Sequence, residues 1–505
     1  MPGPALPRRT VTTSSTGSVP TTAPSASPTP GSAPAHPSRR WWVLVIVGLA
    51  QLVVVLDGTI VNIALPQAQA ELGLTDENRQ WVVTAYALAF GALLLLGGRI
   101  ADFWGRKRTF IVGMVGFGAA SAFGGLVSTG ELLVTARALQ GVFAALLAPA
   151  ALAVLTTTFD RGRERNTAFA VFGAISGAGA AVGLVLGGVL TEFVSWRWCL
   201  LVNVPIVIVA IVAAALVVRE SKAEGDNRLD VAGTVVVALG LASLVYGFTQ
   251  AEDGWGSAVV IGFIALGAGL LALFVLIQKR SDHPLLPLGV LTDRVRGGAF
   301  LVQLIVGSVM IGALLYLTFH LQIVLGFGPL EAGLATLPMT LVIMVMAPIL
   351  TKLLPVIGPR VLMIVGPVIA AAGLFWLSLV TVDGAYATHV LPPLIVMGVG
   401  LAGVFVPMQN LALAGVAPHE AGAASATSNA MMQIGGSIGL AVYTNLYASA
   451  VAGSAAVGLG SLVDGYSAAF VAAGVATLVA AVISFVMIRG SKEDLLPSGP
   501  VVHMG

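Results

Sequence analysis

Leu56-Asp57-Gly58-Thr59-Ile60-Val61-Asn62-Ile63-Ala64-Leu65-Pro66 closes an apolar run that opens at Trp41, and Asp57 is the only ionisable residue in that run. A lone carboxylate at the depth of a bilayer core is costly unless it is neutralised, paired or hydrated. Such a residue is a functional-site hypothesis by default, so the rest of the chain is read for what could pair with it.

The surrounding composition makes the run a membrane span. The chain has 505 residues, of which 57% are hydrophobic and only 10% charged, with a mean hydropathy of +0.96. A soluble domain carries about 25% charged residues, so this chain cannot cover itself in water. One cysteine, Cys199, rules out an intramolecular disulfide. The 61 glycines suit close helix–helix approach in lipid, where small residues provide the packing.

Fourteen stretches from Trp41 onward are long and apolar enough to span, at about 20 residues each. Basic residues test that count. With the N-terminus on the cytoplasmic side, 22 of the 25 Lys and Arg fall in cytoplasmic segments, leaving Arg79 and Arg197 outside and Arg137 within a span. This supports fourteen spans with both termini cytoplasmic. The expected organisation is all-α. Residues 1–40 form a disordered cytoplasmic tail rich in Pro, Ser and Thr. Residues 41–218 form six spans, and 219–297 hold two extra spans with their cytoplasmic loops. Residues 298–488 form six more spans and 489–505 a cytoplasmic tail. Two related halves with a substrate site between them are a common transporter plan.

Arg137 is the natural partner for Asp57. Asp57 lies nine residues before Pro66, about 14 Å from the end of its span, and Arg137 lies six after Glu131, about 9 Å from the same membrane face. Such heights let the two side chains meet directly, through Gln140 or through water. The competing reading is an arginine that snorkels to the headgroups. Asn62, Gln140, Asn429 and Gln433 are the polar residues expected to line a substrate cavity. The loop Gly98-Arg99-Ile100-Ala101-Asp102-Phe103-Trp104-Gly105-Arg106-Lys107-Arg108 places an acid at a helix C-terminus, where the helix dipole disfavours it. Asp102 therefore needs a cationic partner, and a latch with Gly98, Gly105, Arg106, Lys107 and Arg108 that holds the cytoplasmic side closed supplies one. Gly179, Gly183 and Gly187 recur every fourth residue on one helix face, followed by Gly188. This is a packing seam that doubles as a hinge between the halves. Pro407, Pro418 and the run from Asn429 to Gly439 suggest a broken or closely packed helix pair. His320 and Glu331 are expected at the membrane surface. The six histidines show no metal-ligand spacing and no Gly-rich phosphate loop is present, so the sequence points to no metal, cofactor or ATP chemistry.

The ordered set from Leu56–Pro66 through Gly98–Arg108 and Arg137–Gly141 to Gly179–Gly188, with fourteen spans, resembles the major facilitator superfamily, specifically its fourteen-span drug:proton antiporters. The resemblance covers Trp41 to Arg489. It implies a monomeric secondary transporter of a bacterial cell membrane, driven by the proton gradient without a cofactor and without nucleic-acid partners. It would export antibiotics or other amphipathic small molecules by alternating access. An importer of the same fold is the alternative, and a membrane-embedded enzyme or receptor a remote one. Three departures stand out. Leu184 replaces the proline usual after the second glycine of the span 5 motif, and Phe103 replaces a usual basic residue after Asp102. The second half has no intramembrane acid: the degenerate copy of the loop motif, Gly358-Pro359-Arg360, has Pro355 where an acid would sit.

Overall fold

The computed structural model describes residue 3, residues 37–159, 162–222, 230–281, 284–416 and 420–490, and residue 495. The two terminal tails expected from the sequence lie almost wholly outside the described residues. The described chain is helical, with long helices α1 (Pro37–Leu72), α2 (Trp81–Trp104), α3 (Arg106–Leu126), α4 (Gly130–Thr158), α5 (Arg163–Phe193), α6 (Trp198–Val217), α7 (Val231–Thr249) and α8 (Ala258–Arg280). They are followed by α9 (Arg294–Val324), α10 (Pro329–Ile357), α11 (Pro359–Leu377), α12 (Leu391–Leu413), α13 (Ala421–Gly453) and α14 (Leu459–Met487).

Thirteen of these, α12 counted with the short turn before it, are both long and apolar enough to cross a membrane. The exception is α13, which has the length at 33 residues but carries Ser425, Thr427, Ser428, Asn429, Gln433, Ser437, Thr444 and Asn445. Its polarity follows from its place: α13 packs between α2 of the first half and α9 and α14 of the second, rather than facing lipid. It is one continuous helix, so of the two expected arrangements, a broken or a closely packed helix pair, the structure has the second. The run at Gly435, Gly436 and Gly439 serves close packing against the Leu304 backbone, Ile311 and Ser308 of α9.

Within the first half α1 packs on α5, α4 and α6, α2 on α4, and α3 on α4 and α6. Within the second, α11 packs on α12 and α14, α10 on α12, and α9 on α13, α14 and α12. Two seams join the halves, α2 with α13 and α5 with α10. The α7–α8 hairpin pairs with itself and leans through α7 on both α2 and α13, beside the first seam.

Pro66 does not end the first span. The helix runs on to Leu72, with Pro66 inside it, so Asp57 sits deeper along its helix than the position of the proline suggests. A proline forfeits one intrahelical bond and crowds the preceding turn, and the packing of Leu65 and Ala68 into the core holds the helix through it. With Leu184 in place of a proline, α5 is likewise unbroken from Arg163 to Phe193.

The bundle is closed at the end that carries Arg79. There the Gln322 amide donates to the Ile63 carbonyl at 3.0 Å, the Leu330 amide N–H to Glu192 at 2.9 Å and the Tyr447 hydroxyl to Asp76 at 3.3 Å. Each of these bonds runs from the second half to the first. Gly188 and Gly333 let α5 and α10 touch backbone to backbone: a Cβ on Gly188 would stand 2.5 Å from Leu330 Cα, and one on Gly333 2.4 Å from the Leu184 carbonyl oxygen.

Candidate functional site

Asp57 and Arg137 are both fully buried and form an ion pair at 2.5 Å from Nη1 to Oδ2. The other carboxylate oxygen accepts from the Gln140 amide at 2.9 Å and the Asn203 amide at 3.0 Å. Gln140 also donates to Ser121 Oγ at 2.7 Å and accepts from Arg137 Nη1 at 2.9 Å. Five helices thus converge on one carboxylate: α1 brings Asp57, α3 Ser121, α4 Arg137 and Gln140, α6 Asn203, and α2 the groups that seat the arginine. Arg137 Nε donates to the Val82 carbonyl at 2.9 Å, and the guanidinium lies 4.3 Å from the centre of the Tyr86 ring. An arginine so held does not snorkel; its donors are taken up inside the half.

The arrangement fixes what a proton must do. Three donors take three of the carboxylate's roughly four acceptor positions, two on Oδ1 and one on Oδ2. Protonation of Oδ1 displaces Gln140 or Asn203, and protonation of Oδ2 takes the open position and removes the charge that pairs with Arg137. The Asn203 Oδ1 atom and the Tyr86 hydroxyl are buried beside this node without hydrogen-bond partners. A buried polar group without a partner is costly, and a half-turn of the Asn203 amide would present an acceptor to a protonated Asp57.

The structure redistributes the remaining expected site residues. Gln140 belongs to the buried node and not to a cavity wall. Asn62 is buried, with an Oδ1 that has no partner among the described residues. Asn429 is exposed and donates to its own helix at Ser425, and Gln433 backs onto Gly91 of α2. The four are therefore not one cluster. Gly179, Gly183 and Gly187 face Val55, Thr59 and Ile60 of α1, so this seam lies inside the first half; only Gly188 reaches across to α10. His320 is buried against Tyr466 and not at the surface, whereas Glu331 is exposed as expected.

The loop motif closes on itself. Asp102 pairs with Arg106 at 3.0 Å, four residues on. The partner of the basic cluster is Glu220, just beyond α6. It accepts from the backbone N–H of Lys107 and Arg108 at 3.1 and 3.2 Å and lies 3.7 Å from the Arg108 guanidinium. Glu220 thus caps α3 as an anion at a helix N-terminus. It fits there because Gly105, at φ +127°, leaves no Cβ in the way; one would stand 2.6 Å from the carboxylate. In this state, closed at the Arg79 end, none of these contacts reaches the second half. Glu220→Gln is expected to lower stability by about 1 kcal/mol, the size of a cap rather than of a half-exposed ion pair. Gly105→Ala should cost more, since it adds strain at positive φ and evicts the carboxylate. Thermal unfolding of the purified variants orders the two.

Sequence reasoning missed Ser121, Asn203 and Glu220. Asn203-Val204-Pro205 interrupts an apolar span with a polar residue and is the one available signal among them.

Comparison with known proteins matches this architecture. The puromycin resistance protein pur8 of Streptomyces alboniger is 46% identical over 465 residues, covering 90% of this chain and 92% of that protein. The cephamycin export protein CmcT of Amycolatopsis lactamdurans is 39% identical over 470 residues, covering 91% and 96%. A bacterial homologue of the human lysosomal transporter Spinster, solved inward-facing and unoccupied, shares the fold with a TM-score of 0.63 at 16% identity, covering 92% of this chain and all of that one. With the Major Facilitator Superfamily profile matching residues 47–440 on top of these relatives and a fourteen-helix bundle of two joined halves, the chain belongs to the Major Facilitator Superfamily.

Proposed function

We propose that the chain is a proton-driven exporter of antibiotics or similar amphipathic small molecules, with Asp57 as its proton carrier. It is a secondary transporter rather than an enzyme, and the energy would come from the proton gradient with no cofactor. The observation that carries the coupling is the buried node. Asp57 is enclosed by first-half donors, and the helix that seats its partner, α2, also forms a seam with α13 of the second half. Tyr86 faces Arg137, while five residues on Gly91 packs against Ala430 and Gln433. Rocking the halves shifts α2, loosens Arg137 from Asp57 and lets a proton take its place. We place both termini on the cytoplasmic side of a bacterial cell membrane, from the distribution of Lys and Arg, and take the working unit as a monomer.

Relatives named for puromycin resistance and cephamycin export direct the substrate panel. In a pump-deficient bacterial host, expression is expected to lower accumulation of puromycin, a cephamycin or a related compound, and a protonophore to restore it. Raised accumulation would identify an importer, and efflux indifferent to the protonophore would remove the proton from the cycle.

A further inference from the structure

Arg79 reads in the sequence as an ordinary loop cation, yet it is 98% buried, and it lies among rings that belong to the other half. Its guanidinium sits 3.9 Å from the centre of Phe319 and 5.3 Å from that of Tyr447. On its own side Nη1 donates to Asp76 at 2.8 Å and to Gln69 at 3.3 Å. Tyr447 stacks with Tyr316 and with Tyr466, ring centres 5.2 and 5.4 Å away, in a triangle closed by 6.1 Å between Tyr316 and Tyr466, and His320 meets Tyr466 edge-on. A π-helical turn begins at His320, at the position where α9 presents this wall, a distortion common at functional sites. Two buried polar atoms of the wall have no partner among the described residues: the Tyr466 hydroxyl and His320 Nδ1. A buried polar group without a partner is costly, and two at one wall favour a ligand over packing alone.

We propose that this aromatic box in the second half is a binding site for a monovalent organic cation, of the guanidinium or alkylammonium class, and that Arg79 is the occupant that fills it while this end is shut. The inference rests on the orientation proposed above, which makes the box an exit-side site. The covalent arrangement requires the exchange. Residues 73–80 belong to the first half and the rings to the second, so separating the halves at this end withdraws Arg79 and its counter-ion Asp76 together. The box is then left with exposed ring faces, which attract a cation electrostatically, and with its unpaired hydroxyl and imidazole. A cation that enters competes with the return of Arg79 and holds this end open.

The test uses the full-length chain in lipid nanodiscs, with Cys199→Ser and spin labels on Ser128→Cys in the first half and Asp383→Cys in the second, both at this end. Arg79→Ala is expected to raise the separated fraction about tenfold, the factor that a desolvated cation–π contact supports, and Arg79→Lys by less. Butylguanidinium should raise that fraction in the unsubstituted background, while the neutral isostere butylurea should not. Phe319→Leu should abolish the response, whereas Tyr447→Phe, which keeps the ring face, should retain it. An unchanged distance distribution in Arg79→Ala overturns the plug, and a butylguanidinium response undiminished by Phe319→Leu overturns the site. Because the readout is a distance and not transport, it stands apart from whether Asp57 carries the proton.

Discussion

Asp57→Asn is expected to abolish proton-driven efflux, to the level of membranes without the protein, while the chain still inserts and folds. The substitution keeps the shape of the side chain and one oxygen for Gln140 and Asn203. What it removes is the negative charge opposite Arg137 and the only titratable oxygen in the node. Leaving one partner of a buried ion pair uncompensated costs about 3–5 kcal/mol. Here the Val82 carbonyl, Gln140 Oε1 and the Tyr86 ring still hold the guanidinium, so the loss of stability should fall at the lower end of that range. Efflux of a panel substrate and the monodispersity of the purified variant are the two measurements. A folded Asp57→Asn protein that still extrudes its substrate uphill would take Asp57 out of the cycle.

The second large effect is structural. Gly97→Val is expected to prevent accumulation of folded protein. Gly97 is where α2 and α4 touch backbone to backbone: a Cβ there would stand 1.9 Å from the Ala145 carbonyl oxygen and 2.7 Å from its carbon. No rotamer relieves contact with a main chain, and these two helices seat Arg137 between them. A cost of about 4 kcal/mol or more, at the extreme of single substitutions, is expected. Gly173→Ala is the matched control. A Cβ at Gly173 meets nothing within 4 Å, and alanine is the better helix former, so that variant should express as the parent does. Gel filtration of the two proteins decides it; equal yields would mean that the helices can part without loss.

The pairing of Asp57 with Arg137 is suggested by the sequence because hydrocarbon makes a lone charge conspicuous: two opposite charges at similar depth need one another. Asn203 and Ser121 complete the same node but were not legible, since a single amide or hydroxyl in an apolar span is ordinary until its partner is known. Arg79 and Glu220 were missed for the reverse reason. Loop charges are usually solvated, and nothing local shows that Arg79 reaches an aromatic wall more than 200 residues away in the chain. The glycine repeat on α5 correctly suggests a seam, but periodicity marks a face without naming what covers it, and the cover is α1. The span that becomes α13 is found in the sequence, but its polar composition is explained only by its place, packed on α2 on one side and on α9 and α14 on the other. Pro66 shows tertiary packing overriding a local helix breaker.

The most direct measurement is proton release on substrate binding, by the purified protein in weakly buffered solution, with an exported substrate as titrant. The parent chain should release protons as substrate binds, and Asp57→Asn should bind the same substrate and release none. Release of the same number of protons by Asp57→Asn would contradict the account.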